Sequence, residues 1–342
     1  MGFANHQIYP YFSRFASCEK PTLMKKLLYT LFFVALCQLA FGQYKFDYGL
    51  KIGGANYLGD IGGKELTRRD FVWDMHLNQT RLAIGGYARY KFSKRLSVAA
   101  NLSHLSIRDR DELSTNPARR ARNLNFKNNI WELGFRGELT VFYDNDVGGR
   151  GYYNPDFKLY VFAGVAGFYH NPQGQIIDPD VPDLDDGTWY DLRDWKTEGQ
   201  ETAYSAWGVA IPAGIGLHFT FNKVWRLGWE LSWRTTFTDY LDDISTVYAD
   251  PASLPSDAAR AFASQSSQII INEINDPSLS GTVYDHQYDA RFDTKRGEAD
   301  NNDSYLTTEF TIGRVVRGRS QFYRKKYSWL KNKVGRKSRA KF

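Results

Sequence analysis

The stretch Gly53-Gly54-Ala55-Asn56-Tyr57-Leu58-Gly59-Asp60-Ile61-Gly62-Gly63-Lys64-Glu65 has the glycine density of a phosphate cradle. A P-loop needs G-x-x-x-x-G-K-[ST], with the lysine on the phosphates and the hydroxyl on the metal. Gly54 to Gly59 has that spacing, but Asp60 stands at the lysine position and Ile61 at the hydroxyl. The register ending in Gly63-Lys64 would need glycine at Leu58 and a hydroxyl at Glu65. Neither supplies the groups that do the chemistry.

Histidine and aspartate offer two further chemistries. His104 near Asp109, and His170 near Asp178, are the pairings that a hydrolase or acyltransferase would need, but no nucleophile motif accompanies them. Asp178, Asp180, Asp183, Asp185, Asp186, Asp191 and Asp194 crowd one loop. The calcium-loop pattern is broken there, because Trp189 stands at the twelfth position from Asp178, where a bidentate Glu belongs. The chain therefore reads as non-enzymatic, with no cofactor, no resident metal and no small-molecule substrate.

The elements that position these residues have a hydrophobic period of two. In Trp225 to Arg234 the apolar Trp225, Leu227, Trp229, Leu231 and Trp233 alternate with Arg226, Gly228, Glu230 and Ser232, an order that would smear the tryptophans round a helix. Eight such segments are expected, at 46 to 58, 81 to 92, 96 to 107, 129 to 143, 157 to 169, 204 to 221, 225 to 237 and 304 to 316. Each reaches the ~9 to 11 residues with which a tilted strand crosses a bilayer. Aromatic content of 16%, with 29 glycines, suits strands and tight turns.

Connections alternate in length. Those at 93 to 95, 144 to 156 and 222 to 224 are short or moderate, whereas 59 to 80, 108 to 128, 170 to 203 and 238 to 303 are long and polar. Alternating strand direction gathers Trp131, Tyr169, Trp207 and Trp233 at the loop end, and Tyr90, Phe92, Tyr143, Phe157, Phe221 and Trp225 at the turn end, as two aromatic girdles. The expected fold class is all-β: an eight-stranded antiparallel transmembrane outer-membrane β-barrel with long extracellular loops. The termini and short turns then lie in the periplasm.

In such a barrel the polar parity of each strand faces inward. It carries Lys51, Arg81, Arg89, Glu132, Arg136, Glu138, Arg226, Glu230, Arg234 and Glu309, interleaved with Gly53, Gly85, Gly134, Gly164, Gly214, Gly216, Gly228 and Gly313. An eight-stranded barrel has room only for side chains, so these charges are expected to pair across a plugged lumen, with glycines making the space.

Both ends of the chain carry targeting or partner signals. From Met24 the sequence MKKLLYTLFFVALCQLAFGQ has two lysines, an apolar run and Ala40-Phe41-Gly42 before Gln43, the pattern of a secretory signal peptide over 24 to 42. Residues 1 to 23 then read as a non-native upstream extension, and the barrel as 43 to 316. Leu36 before Cys37 is too large for a lipoprotein acylation site. Cleavage near Gly42 removes Cys18 and Cys37 and leaves no cysteine.

The segment 317 to 342 holds eleven Lys or Arg and no acid; against a net charge of +6 for the whole chain, the rest sums to −5. Tyr323, Tyr327, Leu330 and Val334 recur at helical spacing, which draws one apolar stripe on a basic helix. Arg317, Arg319, Tyr323, Arg324, Lys325, Lys326, Tyr327, Trp329, Leu330, Lys331 and Lys333 are expected to form a basic periplasmic tail that binds a protein partner or lipid headgroups. An exported chain meets no nucleic acid.

Three segments carry a family resemblance: the first strand with Asn56, Tyr57, Gly59 and Asp60; Ile211-Pro212-Ala213-Gly214-Ile215-Gly216-Leu217; and Trp225 to Thr236 running into Thr238-Asp239-Tyr240-Leu241-Asp242-Asp243. They resemble the PorG-like barrels of Bacteroidota, outer-membrane components of the type IX secretion system, often associated with gliding motility. The resemblance implies a barrel that anchors the periplasmic ring proteins of the secretion machine to the outer membrane, with Asn56, Tyr57, Gly59 and Asp60 as rim elements. The alternative is a surface-binding or adhesion barrel acting through its extracellular loops; an outer-membrane enzyme is a third reading.

Overall fold

The period-two segments form eight long strands of a computed structural model that describes residues 45–63, 75–114, 116–144, 156–176, 184–221, 224–266 and 294–316. The expectations for the signal peptide and the basic tail lie outside these residues, as do Asp178, Asp180 and Asp183. The strands are β1 (Phe46–Leu58), β2 (Arg81–Lys91), β3 (Leu96–Arg110), β4 (Asn125–Asp144), β5 (Asp156–Tyr169), β8 (Trp207–Phe221), β9 (Trp225–Thr236) and β10 (Ser304–Val316). Two short strands, β6 (Pro172–Gln175) and β7 (Trp189–Asp191), lie between β5 and β8.

Every pairing is antiparallel between neighbours, in the order β3-β2-β1-β10-β9-β8-β5-β4, and β3 also pairs with β4, so the eight-stranded sheet closes. Closure joins the first strand to the last, from Phe46 opposite Val316 to Leu58 opposite Ser304. A closed sheet leaves no row of unpaired backbone groups, the condition for strands to cross hydrocarbon. Among the described residues no helix is long and apolar enough to cross a membrane.

Alternation sorts the side chains. Leu50, Ile52, Leu133, Phe135, Val161, Ile215, Leu227, Phe310 and Ile312 are exposed on the outside, while Lys51, Arg89, Glu132, Glu230 and Glu309 are buried inside. An apolar exterior around a polar interior is the construction of a transmembrane barrel. Ten residues of β4 separate Trp131 from Val141, about 25 Å of bilayer at the usual tilt. At the loop end His104, Trp131, Tyr169 and Trp207 lie opposite one another in successive strands, a continuous polar-aromatic row. At the turn end the rings of Phe142, Phe157 and Phe219 follow one another, with centroids 6.0 and 5.0 Å apart.

Two strands run farther than the hydrophobic pattern indicates. β3 continues to Arg110 and β4 starts at Asn125, because Arg108 still pairs with Lys127 and Arg110 with Asn125 beyond the apolar band. There β6 adds to β4 and β7 to β6. The long connections also contain helices α1 (Pro117–Arg122) and α2 (Asp257–Ala263), the latter capped by the Ser256 side chain. Ile176, Leu192 and Phe262 form a small apolar core of their own outside the barrel.

Candidate functional site

The lumen is filled by an ion network built from inward positions of six strands. Glu230 on β9 sits at its centre, 3.1 Å from Lys51 Nζ, 3.3 Å from Arg89 and 3.0 Å from Arg136, and accepts from the Tyr160 hydroxyl at 2.5 Å. Lys51 also reaches Glu309 at 2.7 Å, and Arg89 reaches Glu138 at 2.6 Å. Nearer the loop end Arg234 holds Glu132 at 2.7 Å, and Tyr305 donates to the same carboxylate at 2.7 Å. Toward the turn end Arg226 pairs with Asp47, which also lies 3.4 Å from Arg89.

Asp47 completes a balance. Asp47, Glu132, Glu138, Glu230 and Glu309 face Lys51, Arg89, Arg136, Arg226 and Arg234, five acids against five bases, all buried. Asp47 was missed at sequence level, although it lies four residues before Lys51 and so on the same face. Arg81, by contrast, stands at the outer end of β2 beside Gln79, not in the network. Some glycines seat charged stems, since a Cβ at Gly164 would come within 2.7 Å of Arg136 Cβ. Others seat rings, as where Gly216 leaves room for the Tyr160 phenol, 2.5 Å from the place of a Cβ.

Above this network the loop end is closed by chain. Leu241 and Ile244 are buried against Tyr57, Leu105, Phe126, Ile130, Phe168 and Tyr305, so the segment after β9 inserts into the barrel mouth as an apolar plug. The end of β1 and the segment after β9 meet here. Tyr57 Oη lies 2.7 Å from Asp242 and 2.5 Å from Asp303, and Asp242 also accepts from the Ile61 amide at 3.0 Å. Asp60 accepts from the Glu298 amide at 2.7 Å, and Asn56 donates to the His76 carbonyl at 3.1 Å. Gly59 is required because a Cβ there would strike the Tyr57 hydroxyl and the Asp303 carboxyl. Tyr57 thus stands at the rim as a buried group facing the inside of the mouth; it shares the parity of Lys51 and Ala55.

Two arginines brace the plug. Arg122 donates to Asp111 at 2.7 Å and to the Asp60 carbonyl at 2.7 Å, and Arg296 donates to Glu198 at 2.9 Å and to the Asp243 carbonyl at 2.7 Å. Asp243 further accepts from Thr197 at 2.5 Å and Tyr204 at 2.8 Å. Burial pushes Asp239 up to about 8 and Asp242 up to about 7, each with neighbouring aspartates adding like charge. Asp303 is raised well above the carboxylate range by burial and by Asp242 and Asp239, while Arg296 tempers Asp243, which burial lifts to about 6.

The His104–Asp109 pairing of a catalytic mouth does not form, and the partner expected for His170, Asp178, lies outside the described residues. His104 points outward onto Trp131 at 4.6 Å, whereas Asp109 points inward to His76 Nδ1 at 3.2 Å. An odd separation puts two strand residues on opposite faces, so His104 and Asp109 cannot meet. Burial pushes His170 down to about 4, and it packs beside Tyr204. Among the described residues no group of three His, Cys, Asp or Glu is placed to hold a metal ion. The arrangement can seal and brace.

A family profile described as a domain of unknown function (DUF6089) matches residues 25–186, just under half of the chain. No curated protein matches by sequence. Among solved structures the chain is similar to Neisserial surface protein A, with 6% identity, 79% of this chain and 97% of that one covered, and a TM-score of 0.33. It is also similar to the attachment invasion locus protein Ail of Yersinia pestis, with 10% identity, 79% and 98% covered, and a TM-score of 0.30. For OprG of Pseudomonas aeruginosa the identity is 10%, the coverage 81% and 98%, and the TM-score 0.29.

Proposed function

We propose that this protein is a non-conducting, non-enzymatic outer-membrane barrel that anchors the periplasmic ring of a type IX secretion machine. The observation that carries the reading is the double seal: a charge-balanced lumen and, above it, the Leu241–Ile244 plug. A barrel closed in this way acts through its rims. Val316 lies opposite Phe46 at the turn end, so the chain leaves the barrel on that side and enters the eleven-cation segment 317 to 342. A cationic segment with an apolar stripe suits an acidic protein surface. In this reading the leader over 24 to 42 is removed on export.

The test is deletion of residues 318–342 in the producing cell. Export by the machine and co-purification of ring proteins are expected to fall while the barrel keeps its heat-modifiable migration on gels. Unchanged export and co-purification would overturn the proposal.

A second reading, surface binding, draws support from the folded extracellular layer with its own Ile176–Leu192–Phe262 core. Because 238–244 and 294–303 brace the plug, trimming must be confined to 267–293. Loss of cell-surface binding with export intact favours this second reading.

A further inference from the structure

The outward face of β3 and β4 changes character just above the aromatic row. Climbing from His104 and Trp131, the next opposed pair is Ser106 and Asn129, and the one above is Arg108 and Lys127. Four residues of tilted strand place this pair about 10 Å above the row, within the headgroup layer outside the hydrocarbon. Arg110 follows on the same face.

Two cations directly opposite one another on one sheet face repel. Among the described residues neither is paired with an anion, and both lie over the Trp189 ring, at 5.0 and 4.7 Å from its centroid. The Nε atoms of Arg108 and Arg110 are screened from solvent and have no hydrogen-bond acceptor among the described residues. Among the described residues Arg110 reaches an acid only at 4.0 Å, on the exposed Glu112, and Asp191 on neighbouring β7 is taken by Gln173 at 2.7 Å. Screened guanidinium donors without acceptors are costly, and the cost is relieved by an anion that accepts from several at once.

We propose that Arg108, Lys127 and Arg110, with Trp189 as their platform, bind the phosphate of an outer-leaflet glycolipid. The height favours a lipid over a soluble anion: both residues stand on the outward face just above the interfacial tryptophan, where a headgroup phosphate arrives tethered by acyl chains packed on the exposed Leu102 and Leu133. A monophosphate or pyrophosphate group matches the charge, and the arginine forks match its geometry.

The full-length protein in detergent, analysed by native mass spectrometry with added bis-phosphorylated lipid A, is expected to retain one lipid per barrel. Arg108→Gln combined with Lys127→Gln should lower retention roughly tenfold, a loss of about 1.4 kcal/mol. The pair Lys94→Gln and Arg95→Gln, in the opposite turn, should leave it unchanged. On the wild-type barrel, dephosphorylated lipid A should not be retained, and millimolar inorganic phosphate should not displace the phosphorylated form. Equal retention by the double variant, equal retention of dephosphorylated lipid, or full displacement by inorganic phosphate would each overturn the proposal. The wild-type arms decide it even where the variant does not fold.

Discussion

Tyr57 and Asp303 stand at 2.5 Å, hydroxyl to carboxyl, although 246 residues separate them in the chain. The same phenol oxygen lies 2.7 Å from Asp242 Oδ2 and accepts from the Asp60 amide at 3.1 Å. A tyrosine hydroxyl has one proton, so it donates to one carboxylate and needs a proton from the other. Asp242 Oδ1 and Oδ2 both accept backbone amides, from Ile244 and Ile61. Asp303 accepts one only on Oδ2, from Leu241 at 2.9 Å. The shared proton therefore belongs on Asp303 Oδ1, facing Tyr57, which in turn donates to Asp242.

That assignment separates two substitutions. Asp303→Asn puts an N–H where the proton sits and keeps the acceptor for Leu241, so the thermal midpoint of the detergent-solubilised barrel should move little at neutral pH. Tyr57→Phe strands two buried carboxyl groups and should cost about 1–3 kcal/mol. An asparagine variant as unstable as the phenylalanine one would contradict the protonated Asp303.

The plug should tighten in acid. Asp239, Asp242, Asp243 and Asp303 are all raised above the carboxylate value they have in the unfolded chain. The folded mouth therefore binds protons more tightly, and stability falls as pH climbs from about 4, the unfolded value, through the folded values near 6 to 8. Each such group contributes a slope of up to about 1.4 kcal/mol per pH unit inside its window. Hydrogen exchange at the Leu241 and Ile244 amides, corrected for the intrinsic pH effect, should show greater protection at pH 5 than at pH 9. A flat corrected profile would show that these acids do not couple to closure.

Glu230 is the acid on which the lumen turns. Glu230→Gln leaves Lys51, Arg89 and Arg136 sharing less negative charge in a space without water-like screening, and removal of a buried partner typically costs about 3–5 kcal/mol. The temperature at which the barrel loses its compact gel migration should fall clearly. Planar-bilayer recordings should show no steady conductance for either protein, since the plug is untouched. A wild-type conductance with defined unitary steps would refute the sealed lumen.

The apolar belt makes a prediction of sign opposite to that for a water-exposed sheet. Phe135, exposed at the middle of β4, should not tolerate arginine: Phe135→Arg is expected to cost about 2–4 kcal/mol of stability in lipid. Leu77, exposed above the rim, should accept the same change almost freely, as Leu77→Arg faces water. Comparable folding yields of both variants in vesicles would mean that β4 does not cross the bilayer.

Strand positions were legible because hydrocarbon outside and charge inside enforce the alternation residue by residue; the eight expected segments and the eight observed strands differ mostly at their ends. Arg108 to Arg110 and Asn125 to Asn128 escaped notice because above the bilayer the outward face is polar, and Phe126 alone is too little to mark an alternation while pairing continues. The lumen charges were readable by parity, yet Asp47 shows that parity must be followed to the first residue of a strand. The plug was not readable. Nothing local in Asp239-Tyr240-Leu241-Asp242 shows that Leu241 will lie beneath Tyr57, because that contact exists only after the barrel has brought distant loops to one rim.

The pairing of Phe46–Leu58 with Ser304–Val316 sets a timetable for biogenesis. Each hydrogen bond of this seam waits for a partner strand that is translated and exported last. Until it arrives, the first strand presents an open edge with its apolar side chains in water, and a nascent molecule in transit needs a holding factor to cover it. The Tyr57–Asp303 contact lies at the loop end of the same seam, with Asp303 one residue beyond the last opposed pair, Leu58 and Ser304, and works as a clasp that can fasten only when zipping has run to its end.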